Sequence, residues 1–372
     1  MSRQSRCIIQ QVKQTYLCRL KQKINPATEI EELFEYTLHS ILGLPSFINL
    51  VLFQRIHWKN LHSVTACGKK IVVLILFIIS SQTCASALEV RDKKERQIVF
   101  AKPFTRIISL YGAHTENLYY LGLEDNIIGV SINDTFPEKV DKKPKFSYHD
   151  GPEKFLFFKP DLVLIRPMID NGYPKLIERL EKSGITIVSL QPSGIKEMYD
   201  YWLKLGLLTG REKQSQNMVH DFQQKVEKIK GITSRIPNKK TVYFEAIHTR
   251  MKTFTQTAMP IFALETAGGI NIAGDAISSR NTNIANYGKE QILAKAENID
   301  VFLAQQGVMN AVNIAIIKKE PGFNVIKAIK NNQVYLIDES IVSRPVFRLY
   351  KGIVAIGTIL YPDIFIKQAF TQ

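Results

Sequence analysis

From Leu88 onward the chain alternates short β-branched runs with amphipathic stretches, and one unbroken helical period of about twenty residues divides that alternation in two. Alternating βα units bury their apolar faces by building a parallel sheet covered with helices. In the first series, strands are expected at 106–110, 127–131, 162–165 and 186–190. Helices are expected at 115–121 and 174–183, the latter opened by Pro174, which suits a first helical turn. In the second series, strands are expected at 241–246, 301–305 and 334–338, and helices at 261–267, 289–296, 323–330 and 345–360. Between the series, residues 212–232 contain no proline, and Val219, Phe222, Val226, Ile229 and Ile232 recur at spacings of three and four. That spacing places one apolar stripe on one helix face. The pattern predicts an α/β fold: two lobes with mainly parallel sheets, joined by one long rigid helix, with a ligand cleft between them. A helical spine permits less relative motion than flexible connecting strands.

The 372 residues are 45% hydrophobic, enough for a core in each of two lobes. A mean hydropathy of −0.06 excludes a polytopic membrane protein. The formal charge is +15, but residues 1–87 hold ten Lys+Arg against four Asp+Glu, which leaves a net +9 downstream. All four cysteines, Cys7, Cys18, Cys67 and Cys84, lie in the same segment, so the downstream chain has no disulfide and no thiolate metal site.

Residues 67–87 read as an export signal. Lys69 and Lys70 supply a charged start, Ile71 to Ile79 an apolar run shorter than a membrane span, and Ala85-Ser86-Ala87 a small-residue cleavage site. Such signals stand at the start of a chain. Residues 1–66 are therefore expected to be a non-structural extension from a start assigned too early, with translation beginning nearer Leu61 or Val64. Cleavage after Ala87 would leave a periplasmic protein with lobes at 88–210 and 236–372 around a spine at 211–235. Ser81-Gln82-Thr83 before Cys84 lacks the leucine and small residue of a lipoprotein signal.

Enzyme templates find no match. There is no G-x-S-x-G elbow, no H-E-x-x-H, no P-loop and no downstream cysteine nucleophile. The glycines between Gly268 and Gly274 follow an expected helix rather than a strand, which suits a helix C-cap and turn, not a nucleotide loop. Lysines are scattered along amphipathic faces without interleaved aromatics, which argues against nucleic acid. His114, His149 and His248 each neighbour an expected strand end, so a zinc or manganese site or a metal-dependent enzyme built on them is one alternative. His220 falls on the spine and is expected at the surface. The residues expected at C-terminal strand ends are Tyr111, His114, Tyr148, Arg166, Tyr173, His248, Arg250 and Arg344. Aromatic rings and guanidinium groups suit a cleft that packs on a bulky ligand and neutralises its acidic groups.

Several segments resemble the periplasmic binding proteins of ABC importers for cobalamin, haem and iron(III)-siderophore complexes. The similarity runs from about Arg106 to Leu360. Arg106-Ile-Ile-Ser-Leu-Tyr111 with Thr115-Glu116, Leu121-Gly122-Leu123 and Ile128-Gly129-Val130 is similar to that family's opening strand, helix and second strand. Gly151-Pro-Glu153-Lys-Phe-Leu-Phe-Phe-Lys159-Pro160-Asp161-Leu162-Val163 resembles its N-x-E-x-I-x-x-L-x-P-D-L-V segment. Ala267-Gly268-Gly269-Ile270-Asn271 and Lys289-Glu290-Gln291-Ile292-Leu293 resemble its G-G-x-N and S-x-E-x-L segments. The resemblance implies two α/β lobes bridged by a helix, a metal chelate carried as ligand without a chemical step, and an ABC permease dimer with its ATPase as partners of a monomer. It also implies that Glu153 and Glu290, one per lobe, dock the permease. Cobalamin binders of that family line the cleft with tryptophans, whereas the only tryptophan after residue 87 is Trp202 and Asn133 stands where an aromatic is expected; Arg166 and Arg344 instead favour an acidic ligand, a ferric siderophore with carboxylate or catecholate groups. Cobalamin and haem are the alternatives, haem through Tyr111 or His114 as axial ligand.

Overall fold

The computed structural model describes residues 87–278 and 282–367. The extension 1–66, the export signal up to Ser86 and all four cysteines lie outside the described residues. The described chain opens with an antiparallel hairpin of β1 (Leu88–Arg91) and β2 (Gln97–Phe100), which the sequence reading did not anticipate. The first lobe follows on a five-stranded sheet of β3 (Ile107–Ser109), β4 (Ile127–Ser131), β5 (Lys145–Phe146), β6 (Leu162–Ile165) and β7 (Thr186–Ser189). All its pairings are parallel, in the order β5-β4-β3-β6-β7. Every residue of β3 and β6 is buried, as expected of strands covered by helices on both faces. The helices are α1 (Gly112–Tyr120), α2 (Pro152–Phe158), α3 (Pro167–Gly172) and α4 (Pro174–Lys182).

Then come α5 (Ile195–Thr209) and the long α6 (Glu212–Thr233). Gly210, at φ 65°, ends α5 in the left-handed region, and the chain turns straight into α6. The two helices pack closely because Gly206 has no side chain where Ser215 of α6 approaches. Phe222, Val226 and Ile229 of the expected stripe are buried, Val219 and Ile232 are half-buried, and Met218 joins them. Trp202 on α5 is fully buried, with its ring 5.4 Å from that of Phe222.

The second lobe is a seven-stranded mixed sheet. β8 (Thr241–Ile247), β10 (Ile270–Asn271), β13 (Val301–Gln306) and β14 (Val334–Asp338) are parallel. β9 (Lys252–Phe254), β11 (Ile277–Ser278) and β12 (Ile284–Asn286) add an antiparallel edge. Its helices are α7 (Met259–Thr266), α8 (Lys289–Ala294), α9 (Ile314–Lys319), α10 (Lys327–Lys330), α11 (Glu339–Val342), α12 (Leu349–Leu360) and α13 (Pro362–Lys367). Gly268, at φ 89°, follows the Ala267 cap of α7, so the glycine run is a helix end leading into β10.

The same device fixes the first strand of each lobe. Asp161, just before β6, accepts the backbone N–H groups of Thr105 and Arg106 at 2.8 Å each, where the chain enters β3. Asp300, just before β13, accepts the N–H of Thr241 at 2.9 Å, the first residue of β8. Burial would raise the Asp300 carboxyl, but bonds from Lys327 and Thr241 hold it down to about 2. One apolar cluster runs from Leu162 and Leu164 in the first lobe, through Trp202 and Phe222, to Leu303 and Ile353 in the second. The two lobes therefore share a core across the spine.

Candidate functional site

In the strand order β5-β4-β3-β6-β7 the direction of sheet growth reverses between β3 and β6. A crevice opens outside the carboxyl ends of strands at such a point. The residues just past those two ends are Tyr111 and Arg166, and the Arg166 guanidinium lies 5.1 Å from the Tyr111 ring centroid. This cation–π contact places a ring and a guanidinium together at the strand ends. Burial raises the Tyr111 hydroxyl pKa, while Arg166 and Arg344 pull it back.

Arg344 reaches the same place from the second lobe. Its Nη1 stands 2.8 Å from the point a Cβ on Gly112 would occupy, so Gly112 at the start of α1 is what leaves it room. Asp134 lies there too, with Oδ1 3.1 Å from that point. Burial pushes the Asp134 carboxyl up to about 6, against a 2.5 Å hydrogen bond from Thr115 Oγ1 and the charges of Arg344 and Lys145. Glu339, in the first turn of α11, accepts the Met309 N–H at 3.1 Å and ties the ends of β13 and β14 together. Among the described residues, neither the Arg166 nor the Arg344 guanidinium makes an ion pair or a hydrogen bond. Exposed apolar side chains flank the strand ends: Ile132 after β4, Met168 after β6, and Met309 and the 92%-exposed Val308 after β13. Phe136 stands under the Arg348 guanidinium at 3.6 Å, so the loop after β4 does carry an aromatic, three residues past Asn133.

Tyr148, just past β5, and Tyr173, just past α3, meet in the first lobe. Their rings lie 4.8 Å apart, and His149 completes an aromatic trio, with its ring nitrogens 3.3 Å from the Tyr173 hydroxyl. They line a recess of about 350 Å³ with Asp150, Lys175 and Arg179.

The histidines do not converge. Among the described residues no three His, Cys, Asp or Glu side chains are grouped to hold a metal. His114 is fully buried; Nδ1 meets the Tyr201 hydroxyl at 2.7 Å and Nε2 the Ile165 carbonyl at 3.0 Å. Burial lowers its pKa to about 4, and neither nitrogen is left for a ligand. The reason is that α1 starts at Gly112 rather than at Thr115, which turns His114 inward onto β6. His248 is also buried, its Nδ1 2.9 Å from Glu245 Oε2. Arg250, two residues on, is exposed. His220 is exposed on α6, 2.9 Å from Gln224.

Glu153 and Glu290 are both exposed, each in the first turn of its helix and each two residues after a glycine cap. Both carboxylates fold back over that glycine: a Cβ would meet Glu153 Oε2 at 2.8 Å on Gly151, and Glu290 Oε2 at 3.3 Å on Gly288. Glu153 also pairs with Arg179 at 2.9 Å, with both partners exposed.

A family described as periplasmic binding protein matches this chain over residues 107–341. The chain belongs to that family. An uncharacterized ABC transporter substrate-binding lipoprotein of Bacillus subtilis is 27% identical over 289 residues, 74% of this chain and 85% of that protein. A vitamin B12-binding protein of Vibrio cholerae is 26% identical over 267 residues, 70% of this chain and 92% of that protein. A crystal structure of a possible iron-binding, periplasmic solute-binding protein from Staphylococcus epidermidis superimposes with a TM-score of 0.61 at 30% identity, covering 70% of this chain and all of that one.

As a periplasmic binding protein of an ABC importer the chain binds and releases its cargo, and it is not an enzyme. The sequence reading missed Asp134, Glu339 and the apolar Ile132, Met168, Val308 and Met309. Only their position just past strand ends could have marked them.

Proposed function

We propose that this periplasmic binding protein captures an iron(III)-siderophore or similar acidic metal chelate and delivers it to a permease dimer and its ATPase. The observation that carries this reading is the pair of guanidinium groups without an ion-pair or hydrogen-bond partner among the described residues, Arg166 and Arg344, which come from different lobes to the neighbourhood of Tyr111. Two half-buried guanidinium groups without a hydrogen-bonded carboxylate favour the arrival of an anion, and carboxylate or catecholate oxygens suit the guanidinium fork. Tyr148, Tyr173 and Arg250 are the further contacts we assign to a bulky ligand. His114 is left out because both its ring nitrogens are taken within the core, and His248 because it is buried with Nδ1 on Glu245 and Nε2 toward Glu320. For the same reason haem, if bound, would depend on Tyr111 rather than on His114.

The test is calorimetric titration of the exported protein with a ferric tris-catecholate, haemin, cobalamin and zinc. We expect saturable one-to-one binding of the ferric chelate, weakened roughly tenfold or more by Arg166→Ala or Arg344→Ala. Equal affinity in both variants would remove the acidic-ligand reading. Cobalamin is the second reading, favoured by the exposed apolar rim of Ile132, Met168, Val308 and Met309 and by relatives named for vitamin B12. Cobalamin binding that survives both arginine variants would establish it.

We further propose that Glu153 and Glu290 dock the permease. Their matched Gly-x-Glu placement at one helix start per lobe supports this, since two separated exposed anions suit a two-fold partner. The double variant Glu153→Ala with Glu290→Ala should abolish uptake while leaving chelate affinity within about twofold. A loss of chelate affinity instead would put the glutamates at the ligand.

A further inference from the structure

The second lobe holds a polar chain that none of the ligand contacts above uses. It starts inside the sheet at Glu245, which is fully buried and sits 2.9 Å from His248 Nδ1. With Nδ1–H donated to a carboxylate, Nε2 carries a lone pair in the neutral ring and an N–H in the protonated one, and only the protonated ring can pair with a further carboxylate. That Nε2 has no hydrogen-bond partner although the side chain is only 6% exposed. Its nearest charged neighbour is Glu320 Oε2, at 3.7 Å. The other oxygen of Glu320 is in close ion-pair contact with Lys289, whose ammonium also donates to the Pro321 carbonyl at 3.3 Å.

Lys289 is the first residue of α8, and Glu290 is the second. The helix has no side-chain cap and starts from Gly288 at φ 87°. Side-chain caps normally hold a first turn. Here the first turn is tied instead through the Lys289 side chain, to Glu320 and to the Pro321 carbonyl. At the other end of the chain, His248 opens the short turn His248–Arg250 that carries Arg250.

We infer that Glu320 is a positioning residue: through His248 and Lys289 it joins the carboxyl end of β8 to the first turn of α8, and so sets how Glu290 is presented to the permease. The inference rests on the docking role proposed for Glu290. A ligand that engages Arg250 moves the turn beginning at His248, and Glu320 is the connection from that turn to the docking helix. The charged groups facing His248 are Glu245 from β8, Glu320 from the end of α9 and Lys289 from α8; the Phe323 ring, 6.3 Å away, is the neutral neighbour. The bond to Glu245 raises the His248 pKa above its ordinary value, burial works against it, Glu320 adds to the rise and Lys289 reduces it.

These opposite signs give a test that a merely structural role would not pass. In an NMR titration of His248 in the full exported protein, Glu320→Gln should lower the midpoint and Lys289→Gln should raise it. Yet both should raise, roughly three- to tenfold, the concentration needed for half-maximal stimulation of the reconstituted permease–ATPase complex. Calorimetric affinity for the ferric tris-catecholate should stay within about twofold of the parent in both. Glu290→Ala is the reference. If it weakens stimulation while Glu320→Gln and Lys289→Gln do not, the inference is overturned and docking stands. If Glu290→Ala has no effect, the docking reading has failed and the inference with it. An unmoved His248 midpoint in both variants would break the chain at its first link.

Discussion

His114 and Asp134 show how two buried groups in one neighbourhood can hide each other. Thr115, next to His114 on α1, is the residue that binds Asp134. The folded His114 pKa of about 4 lies below its ordinary 6.5, so the unfolded chain binds more protons between those values. Stability from His114 is therefore present above about pH 6.5 and lost as pH falls toward 4, by roughly 3 kcal/mol in all. The folded Asp134 pKa of about 6 lies above its ordinary 3.8, so here the folded state binds more protons. Its contribution is present below about pH 4 and lost as pH rises through 6, by a similar amount. The two slopes offset across most of this window. We expect Asp134→Asn to unmask a steep loss of stability on acidification from pH 6.5 to 4, and His114→Gln to unmask a loss as pH rises from 4 to 6. Urea melts at pH 4.5 and 7 would read this, and parallel profiles for the two variants would refute it. In the sequence, Tyr111 and Arg166 were legible as aromatic and guanidinium groups at strand ends, whereas Arg344 and Tyr173, expected at strand ends too, follow the helices α11 and α3. Neither the inward turn of His114 nor the burial of Asp134 was legible, because both follow from where α1 begins and from what packs against it.

At the scale of elements, the local apolar pattern located the strands as short β-branched runs and the spine as a 3.6-residue period, each to within a residue or two. What it could not supply were breaks imposed from a distance. The helix expected over 345–360 begins only at Leu349, because the Pro345 carbonyl is taken by Trp202 Nε1 at 3.1 Å and Asn117 Nδ2 at 3.0 Å. The helix expected over 323–330 splits into a short turn, Phe323–Val325, and α10, with Ile326 extended between them. The antiparallel edge of β9, β11 and β12 was also missed, since its strands are two or three residues long and show no period. The α5–α6 pair is different, being held by large side chains that the sequence does reveal. Phe222, fully buried against Trp202 and 6.0 Å from Phe347, should cost about 3–5 kcal/mol of unfolding free energy when replaced by alanine. A loss below about 1 kcal/mol in denaturant titration would mean that the spine is not part of the shared core.

For the whole molecule, the question is how far two lobes with a common core can move. Beyond the spine, α1 of the first lobe is fastened to the chain leading into α12. Arg348 makes a two-pronged contact with Glu116 at 2.5 and 2.7 Å, and Tyr120 stacks on Phe347 at 4.4 Å. Burial raises the Glu116 carboxyl pKa and Arg348 opposes the rise, so each charge depends on the other. Removing one partner strands the other in a desolvated site, whereas removing both does not. We therefore expect Arg348→Ala to lower the unfolding free energy by about 3 kcal/mol, and Glu116→Ala in the same chain to restore part of that loss. Strict additivity of the two changes would show that the pair is not the fastening. Since these ties cross beside the cleft, ligand capture should proceed by small adjustments of loops such as His248–Arg250, not by a wide hinge. The radius of gyration from X-ray scattering should then change by less than about 1 Å on saturation with ligand. In Arg348→Ala, with the fastening gone, the same titration should show a larger contraction, and an equal change in both proteins would place the restraint in the spine alone.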